Sequence, residues 1–578
     1  MHVHEFLFSY YFKDSPTVSK YAFLLLNELR NGNTVTLVEE KDISKLMAEM
    51  SLDFTAGQAF VLDKGTLAMQ RYFQYEQIVA DFVTTRLKVC LETRAHREEI
   101  LNKHRGYLEH LFSDFQINKL LPEDQNIDWQ KVAVVIAFLQ DFSILTGGPG
   151  TGKTTTVSKL LAFMFTDNPN LRVALTAQTG KASARLKESL DKSRVQLNFS
   201  KELTQCFDKI EPKTLHRLLG WKKNSVDFKH NAGRPLPYDV IIVDECSMVD
   251  LPMMAKLMGA VSKHTKLILL GDQNQLSSVE VGAVLSDLCN HLEGDINVFS
   301  HSFVHSLIDF TGESALKKYV SDQDSILLDA VVQLKRSYRF SSLQGLGQFA
   351  HKVINNESID LKNYNQIPEK QGVIYVDTWQ NSFVDYALKG FEYFLLEPDP
   401  AKSLALFSNF RVLCGSYDGV SGVRQTNLRI EQLLSQKKLI DCKEEYYINR
   451  PILVTKNDYN LGLLNGDVGL VKADSNGRKK VFFEDGKGGV KSFDSSFLSN
   501  LETVFAMTIH KSQGSEFKDV LLVLPNSVTS EVLNRQLLYT AITRAKEKVY
   551  VLGSQEVFDG GVLRVSIRNS SFKRLLHE

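Results

Sequence analysis

The sequence predicts an α/β protein built on parallel strands, and three observations predict it. The apolar run Phe142-Ser143-Ile144-Leu145 reads as a short buried strand; a glycine-rich loop follows, and then Val157-Ser158-Lys159-Leu160-Leu161-Ala162-Phe163-Met164 has helical apolar spacing. Further short apolar runs at 172–177, 240–243 and 267–270 each end in small, hydroxyl, amide or acidic residues, as buried parallel strands do where their C-terminal ends carry chemistry. Over 446–500 the composition changes to short β runs, with Asn465-Gly466, Asn476-Gly477 and Asp485-Gly486 supplying turns between them.

At 578 residues the chain has room for about four domains of ~150 residues each. Its 43% hydrophobic and 24% charged content is that of a globular chain in which each domain can bury a core. Basic and acidic residues both number 68. A uniformly basic surface is thereby excluded, and nucleic-acid binding has to use local patches. The six cysteines (Cys90, Cys206, Cys246, Cys289, Cys414, Cys442) form no C-x-x-C pair and no Cys/His cluster with zinc spacing. Free thiols in a reducing compartment are expected. Phe6-Leu7-Phe8 lacks the basic flank and small-residue cleavage site of a signal peptide, and no apolar run is long enough for a bilayer. The expectation is a soluble cytoplasmic chain with no membrane partner.

Along the chain, 21–29 reads as an amphipathic helix ending near Asn31-Gly32. A second helical stretch runs from Tyr72 to Leu87, with Phe73, Ile78, Val79, Phe82 and Val83 as core. Nothing before Phe112 resembles a catalytic constellation, so this region is expected to be helical and structural or partner-docking. A linker over 121–126 leads to Asp128-Trp129-Gln130, which opens the next helix. Gln130 could offer an amide donor and acceptor to an adenine edge, or stand as a solvated residue at a helix start. Its place one helix before the glycine-rich loop favours the base contact.

That loop, Gly147-Gly148-Pro149-Gly150-Thr151-Gly152-Lys153-Thr154-Thr155, fits G-x-x-x-x-G-K-[ST] between a strand and a helix. Glycines let backbone N–H groups surround the β- and γ-phosphates, and the helix N-terminus adds its own unpaired donors. Lys153 neutralises phosphate charge and the Thr154 hydroxyl completes a Mg²⁺ shell. The chain is expected to bind ATP and Mg²⁺. Asp244-Glu245 closes the strand at 240–243; two adjacent carboxylates there are costly unless a cation or water network satisfies them. Behind a phosphate loop, Asp244 has the metal to hold and Glu245 the attacking water to orient. Gln275, after the strand at 267–270, is placed to sense the γ-phosphate, and Arg339 is a candidate for it. Thr179-Gly180-Lys181 and Thr214-Leu215-His216 could let a nucleic-acid backbone approach; each stretch alone could equally be a polar helix cap. The stretch 221–238, with Lys222, Lys223, Lys229, His230 and Arg234, is a solvated loop or a short basic insertion.

Taken in order, Gly-Gly-Pro-Gly-Thr-Gly-Lys-Thr-Thr-Thr (147–156), Gln-Thr-Gly-Lys-Ala (178–182), Asp-Glu-Cys-Ser-Met (244–248), Gly-Asp-Gln-Asn-Gln-Leu (271–276) and Ser-Tyr-Arg-Phe (337–340) resemble the motifs of superfamily 1B DNA helicases. Thr508-Ile509-His510-Lys511-Ser512-Gln513-Gly514-Ser515-Glu516-Phe517 and Leu538-Tyr539-Thr540-Ala541-Ile542-Thr543-Arg544-Ala545 strengthen the likeness. Within that group the chain is most similar to the RecD-like helicase subunits of exodeoxyribonuclease V, on 275–285, 337–340 and, more weakly, Tyr72-Phe73-Gln74-Tyr75-Glu76. It departs from the pattern at Gln178 and Ser277, where many relatives have proline.

The resemblance implies two RecA-like P-loop motor domains, at 121–360 and 361–578, behind a helical docking domain at 1–112. It further implies an SH3-like β-barrel inserted at about 446–500 and a strand-parting hairpin at 221–238. ATP would lie between the motor domains, with Arg339 and Arg544 as arginine fingers. Thr179, Gly180, Lys181, Thr214, His216, Asn465, Thr508, His510 and Gln513 would follow a single DNA strand. Movement would be 5′→3′, on duplex ends, in a heterotrimer with RecB-like and RecC-like subunits that supply the nuclease. A stand-alone superfamily 1B helicase would carry the same motifs. A module using ATP only as a structural ligand would not need Lys153, Glu245, Gln275 and Arg544 together. For Arg544 the plain alternative is a surface salt bridge to Glu547 or Glu516.

Overall fold

The computed structural model describes residues 12 and 14–577, apart from 53–58, 119–120, 224, 291–293, 324, 340–344, 365–371, 377–381, 459, 486–488 and 528–531; at 52, 89–92, 382–384 and 577 it describes the backbone alone. Phe6-Leu7-Phe8, Phe340, Gly486 and the Cys90 side chain therefore lie outside the described residues. The chain forms two compact units where the length suggested about four domains: Met1–Gln273 with Ser277–Arg336 and Ile567–Glu578, and Asn274–Leu276 with Ser337–Ser566. The expected break at 360 falls instead after Arg336, and the C-terminal residues return to the first unit.

The N-terminal region of the first unit is not wholly helical. Between the helices Pro16–Arg30 and Gln70–Lys103 lies a three-stranded antiparallel sheet of order β1-β3-β2: β1 Val35–Leu37, β2 Phe60–Asp63 and β3 Thr66–Met69. Strands this short leave no readable alternation. Their turn, Lys64-Gly65, holds both residues at positive φ, 45° and 83°, the backbone of a tight two-residue hairpin. Phe12, Val18, Tyr21, Leu25, Leu46 and Phe60 form a small core of their own. The helix Gln70–Lys103 does not belong to it. Val79, Val83 and Leu87 share a core with Phe142, Ile144 and Met254, and Leu101 and Leu108 share another with Val132 and Phe163. Phe572 and Leu576 from the C-terminal helix Phe572–His577 join the first of these.

The main sheet consists of β4 Phe142–Thr146, β5 Val173–Ala177, β6 Pro212–Thr214, β7 Val240–Asp244, β8 Lys266–Gly271 and β9 Val331–Gln333, parallel throughout in the order β6-β5-β7-β8-β4-β9. β4, β5 and β8 are buried along their whole length, which is why they read as unbroken apolar runs. Thr146 pairs with Gly271 and Ala177 with Asp244. This register brings the C-terminal ends of β4, β5, β7 and β8, and the motifs that follow them, to one edge of the sheet.

The second unit repeats the plan. β10 Val373–Val376 and β11 Phe410–Cys414 precede an inserted sheet of β12 Pro451–Val454, β13 Val468–Ala473, β14 Lys479–Glu484, β15 Val490–Phe493 and β16 Leu501–Thr503; β17 Ala506–Thr508, β18 Phe517–Val523 and β19 Ala545–Leu552 follow. The host sheet is parallel, β10-β19-β18-β11-β17, and the inserted one antiparallel, β15-β14-β13-β12-β16. The insertion is rooted in its host. Leu453, Leu470 and Phe482 belong to the same core as Val412 and Leu521. Lys472, buried, donates to the carbonyls of Phe394 (3.2 Å) and Glu397 (2.6 Å) at the end of the helix Ser382–Leu396. Burial pulls this ammonium down to about 8.

Candidate nucleotide and nucleic-acid site

The loop after β4 has the backbone its glycines require. Gly150 and Gly152 sit at φ 78° and 86°, and a Cβ on Gly152 would stand 2.2 Å from Gln130 Nε2. The Gln130 amide is buried and donates to the Thr151 carbonyl (3.0 Å). The helix Trp129–Leu139, whose N-cap Asp128 accepts from Lys131 N–H (3.0 Å), thus fastens the loop from behind. Thr151 Oγ1 closes the turn on the Gly148 carbonyl (2.9 Å). From the first turn of the helix Lys153–Asp167, Lys153 Nζ reaches back over the loop to the carbonyls of Gly147 (2.6 Å) and Gly148 (3.3 Å).

Asp244 ends β7, and its Oδ1 accepts from the Glu245 N–H (2.8 Å). Glu245 adopts φ 53°, ψ 42°, a left-handed conformation that a residue with a Cβ holds only where its surroundings impose it. Burial, and next the neighbouring Glu245, push the Asp244 carboxyl above the usual carboxylate range; Lys153 partly offsets them. Lys153, in the helix after β4, and Asp244-Glu245, at the end of β7, thus follow strands of one sheet at the same edge. Among the described residues no group of three or more His, Cys, Asp or Glu could hold a metal by itself. One carboxylate and one hydroxyl, Asp244 and Thr154, suit Mg²⁺, which keeps waters and takes substrate phosphates as its other ligands. Buried polar atoms without a hydrogen-bond partner stand just past three of the strands: Gln178 Oε1 after β5, Ser247 Oγ after β7 and Gln273 Oε1 after β8. The sheet edge is polar beyond what its own contacts use.

The hydroxyls proposed to face DNA do cap helices. Thr179 accepts from Ala182 N–H (3.2 Å) at the head of Gly180–Gln196, and Thr214 from Arg217 N–H (3.4 Å) at the head of Leu215–Leu219. Thr179, Gly180 and Lys181 remain half-buried, and His216 is exposed with its ring 5.8 Å from Phe228. Phe228 anchors the 221–238 stretch, bridged at Trp221–Phe228 and Asn231–Arg234, while Trp221 stays exposed.

In the second unit, Asn274–Leu276 forms the hub. Arg544 donates to Gln275 Oε1 (2.9 Å), Thr540 O (3.1 Å) and Ser515 O (3.2 Å), and is 3% exposed. Among the described residues it pairs with neither acidic neighbour: Glu516 takes Arg339 (2.5 Å) and Lys546 (3.5 Å), and Glu547 takes Lys518 (3.5 Å). The Leu276 N–H donates to Thr540 Oγ1 (2.9 Å), and Gln513 Nε2 donates to Leu276 O (3.1 Å). Gln513, expected near single-stranded DNA or its coupling to ATP, is buried in this network, its amide bonded to the Leu276 carbonyl. Thr508 and His510 are half-buried; Asn465 is exposed between β12 and β13, its N–H donating to Asn457 Oδ1 (2.8 Å). Thr540 and Ser515 were missed as site residues although both lie inside stretches the motifs mark. Of the described cysteines, Cys206, Cys246, Cys289 and Cys414 are buried free thiols and Cys442 is an exposed one. No helix among the described residues is long and apolar enough to cross a membrane.

The AAA domain family matches residues 130–281, and the UvrD-like helicase C-terminal domain matches 503–552. The chain therefore carries a P-loop nucleotide-binding domain and a helicase C-terminal domain. The RecBCD enzyme subunit RecD of Haemophilus influenzae is 34% identical over 553 residues, covering 89% of this chain and 80% of the relative. That of Mycolicibacterium smegmatis is 36% identical over 453 residues, covering 77% and 74%. The ATP-dependent RecD2 DNA helicase of Deinococcus radiodurans is 28% identical over 421 residues, covering 71% of this chain but 47% of that protein.

Proposed function

The chain belongs to the RecD family, and from that membership we propose that it is an ATP-driven 5′→3′ DNA translocase, working as the helicase subunit of a RecBCD-type assembly on duplex ends. The observation that carries the chemistry is the shared sheet edge: β4 runs into the glycine-rich loop and Lys153, and β7 of the same parallel sheet ends in Asp244-Glu245. The glycine-rich loop holds the β- and γ-phosphates on its N–H groups, and Lys153 turns from its carbonyls to the γ-phosphate. Gln130, already on the loop, extends toward the adenine. Asp244 and Thr154 would hold Mg²⁺, which when bound neutralises charge on the β- and γ-phosphates. Glu245 orients the attacking water; its imposed backbone fixes the carboxylate ahead of the reaction. Arg339 and Arg544 approach the γ-phosphate as fingers, and Gln275, bonded to Arg544, reports phosphate loss to the strand grip. Thr179, Gly180, Lys181, Thr214 and His216 form that grip in the first unit, and Thr508, His510 and the β12–β16 insertion, an SH3-like module with Asn465 between β12 and β13, form it in the second.

Sequence identity supports the subunit reading: the chain is 34% and 36% identical to RecD subunits of RecBCD and 28% identical to RecD2. RecB-like and RecC-like partners would supply the nuclease. Co-purification from the source cell with two larger subunits, and nuclease activity confined to that assembly, is the expected outcome. Robust DNA degradation by the isolated chain would refute this assignment.

A further inference from the structure

Two residues past the Gln275-Leu276 hub, the chain enters a short loop, 278–282, whose carbonyls converge. Ser278 Oγ donates to the carbonyls of Glu280 (2.9 Å) and Gly282 (2.9 Å). The Arg568 guanidinium, from the C-terminal return, collects the same group: Nη1 donates to Gly282 O (2.7 Å), Glu280 O (3.0 Å) and Ser278 Oγ (3.4 Å), and Nη2 to Ser278 O (2.6 Å). A planar fork with fixed donors suits several carbonyls of one loop in a way an ammonium cannot. The N-terminal region closes the other side. Gly32 O accepts from Gly282 N–H (2.9 Å), and a Cβ on Gly32, at φ +85°, would stand 2.6 Å from Arg568 Cζ. The next residue of the strap is locked in turn: Asn569 N–H donates to Asn33 Oδ1 (2.6 Å), and Asn569 O accepts from Thr34 N–H (2.9 Å).

We propose that Arg568 is a positioning residue for the helicase cycle: it clamps loop 278–282 and so holds the Gln275-Leu276 segment in register with Arg544, Thr540 and Gln513. This rests on the role given above to Gln275. A guanidinium that gathers a loop's carbonyls restricts the backbone on that side of the hub, and the hub's own hydrogen bonds restrict the other. Releasing the clamp leaves ATP binding intact, since no loop 278–282 atom contacts the phosphate loop in the hydrogen bonds above. It lowers the fraction of bound ATP that meets an aligned Gln275, so turnover falls and KM does not.

The test compares full-length Arg568→Ala, Gly32→Ala, Arg574→Ala and Gln275→Ala by single-strand-stimulated ATP turnover. Gly32→Ala reaches the same guanidinium from the opposite side. Arg574, on the same C-terminal segment, pairs with Asp63 instead and controls for loss of the tail's packing. Arg568→Ala and Gly32→Ala should each lower kcat roughly tenfold at unchanged KM for ATP, as a displacement of about 1 Å in a catalytic arrangement can cost up to ~100-fold. Arg574→Ala should keep wild-type kcat. Normal kcat in Arg568→Ala beside an impaired Gln275→Ala overturns the positioning role alone, as does an equal loss in Arg574→Ala. Normal kcat in Gln275→Ala overturns the role of Gln275 and the proposal with it.

Discussion

At Gly152 a side chain has no room: φ is 86° and a Cβ would sit 2.2 Å from Gln130 Nε2. Gly152→Ala should therefore displace Gln130 or the loop, costing about 1–3 kcal/mol of local strain and lowering ATP affinity in a titration with a fluorescent analogue. Lys153→Gln keeps the loop's shape but removes the charge, so ATP hydrolysis should vanish while the melting temperature holds. Glu245→Gln should bind ATP normally and turn it over at least ~100-fold more slowly; near-normal turnover in either variant would refute that residue's role. The shape of the loop was legible because its contacts are local, Thr151 on the Gly148 carbonyl and Lys153 on that of Gly147. The hub contact of Gln513 was not. Its partner, the Leu276 carbonyl, is 237 positions away, and no local pattern distinguishes an amide that meets DNA from one that completes a buried hub.

Among the elements, the helix Gln70–Lys103 carries a buried carboxyl, Glu76. Glu76 is 1% exposed; its carboxyl accepts from Thr34 Oγ1 (2.6 Å) and Ser571 N–H (3.3 Å). Burial pushes it up to about 7, and Asp287, which accepts from Ser570 Oγ (3.1 Å), is likewise pushed up to about 7 by burial. Each folded-state pKa lies above its unfolded value, so the folded protein holds more protons across that interval. Stability from this pair is therefore full below about 4 and lost as pH rises through about 7. Glu76→Gln should flatten the fall in melting temperature between pH 4.5 and about 7; an unchanged slope would show that Glu76 does not titrate there. The sequence showed this helix but not its length, and it missed β1–β3, whose three or four residues each fall below the span over which alternation can be read. The strands of the main sheet were legible for the opposite reason: burial on both faces leaves an unbroken apolar run.

For the whole molecule, the cores run across the domain borders that the resemblance implies. Val79, Val83, Leu101 and Leu108 are part of the first unit's cores, and Leu453, Leu470 and Phe482 part of the second's. A chain begun at Leu121 should lose solubility rather than run as a bare motor, since burying four such side chains is worth about 1.5–3 kcal/mol each; a soluble, DNA-stimulated ATPase from that fragment would contradict this. If ATP hydrolysis at Lys153 and Glu245 drives the chain along a single strand from 5′ to 3′, unwinding by purified full-length protein will show it. Duplexes carrying a 5′ tail, a 3′ tail or none are offered with ATP, to the wild type and to Glu245→Gln. Strand separation is expected from the 5′-tailed substrate by the wild type alone. Unwinding by Glu245→Gln, or a preference for the 3′ tail, would contradict it.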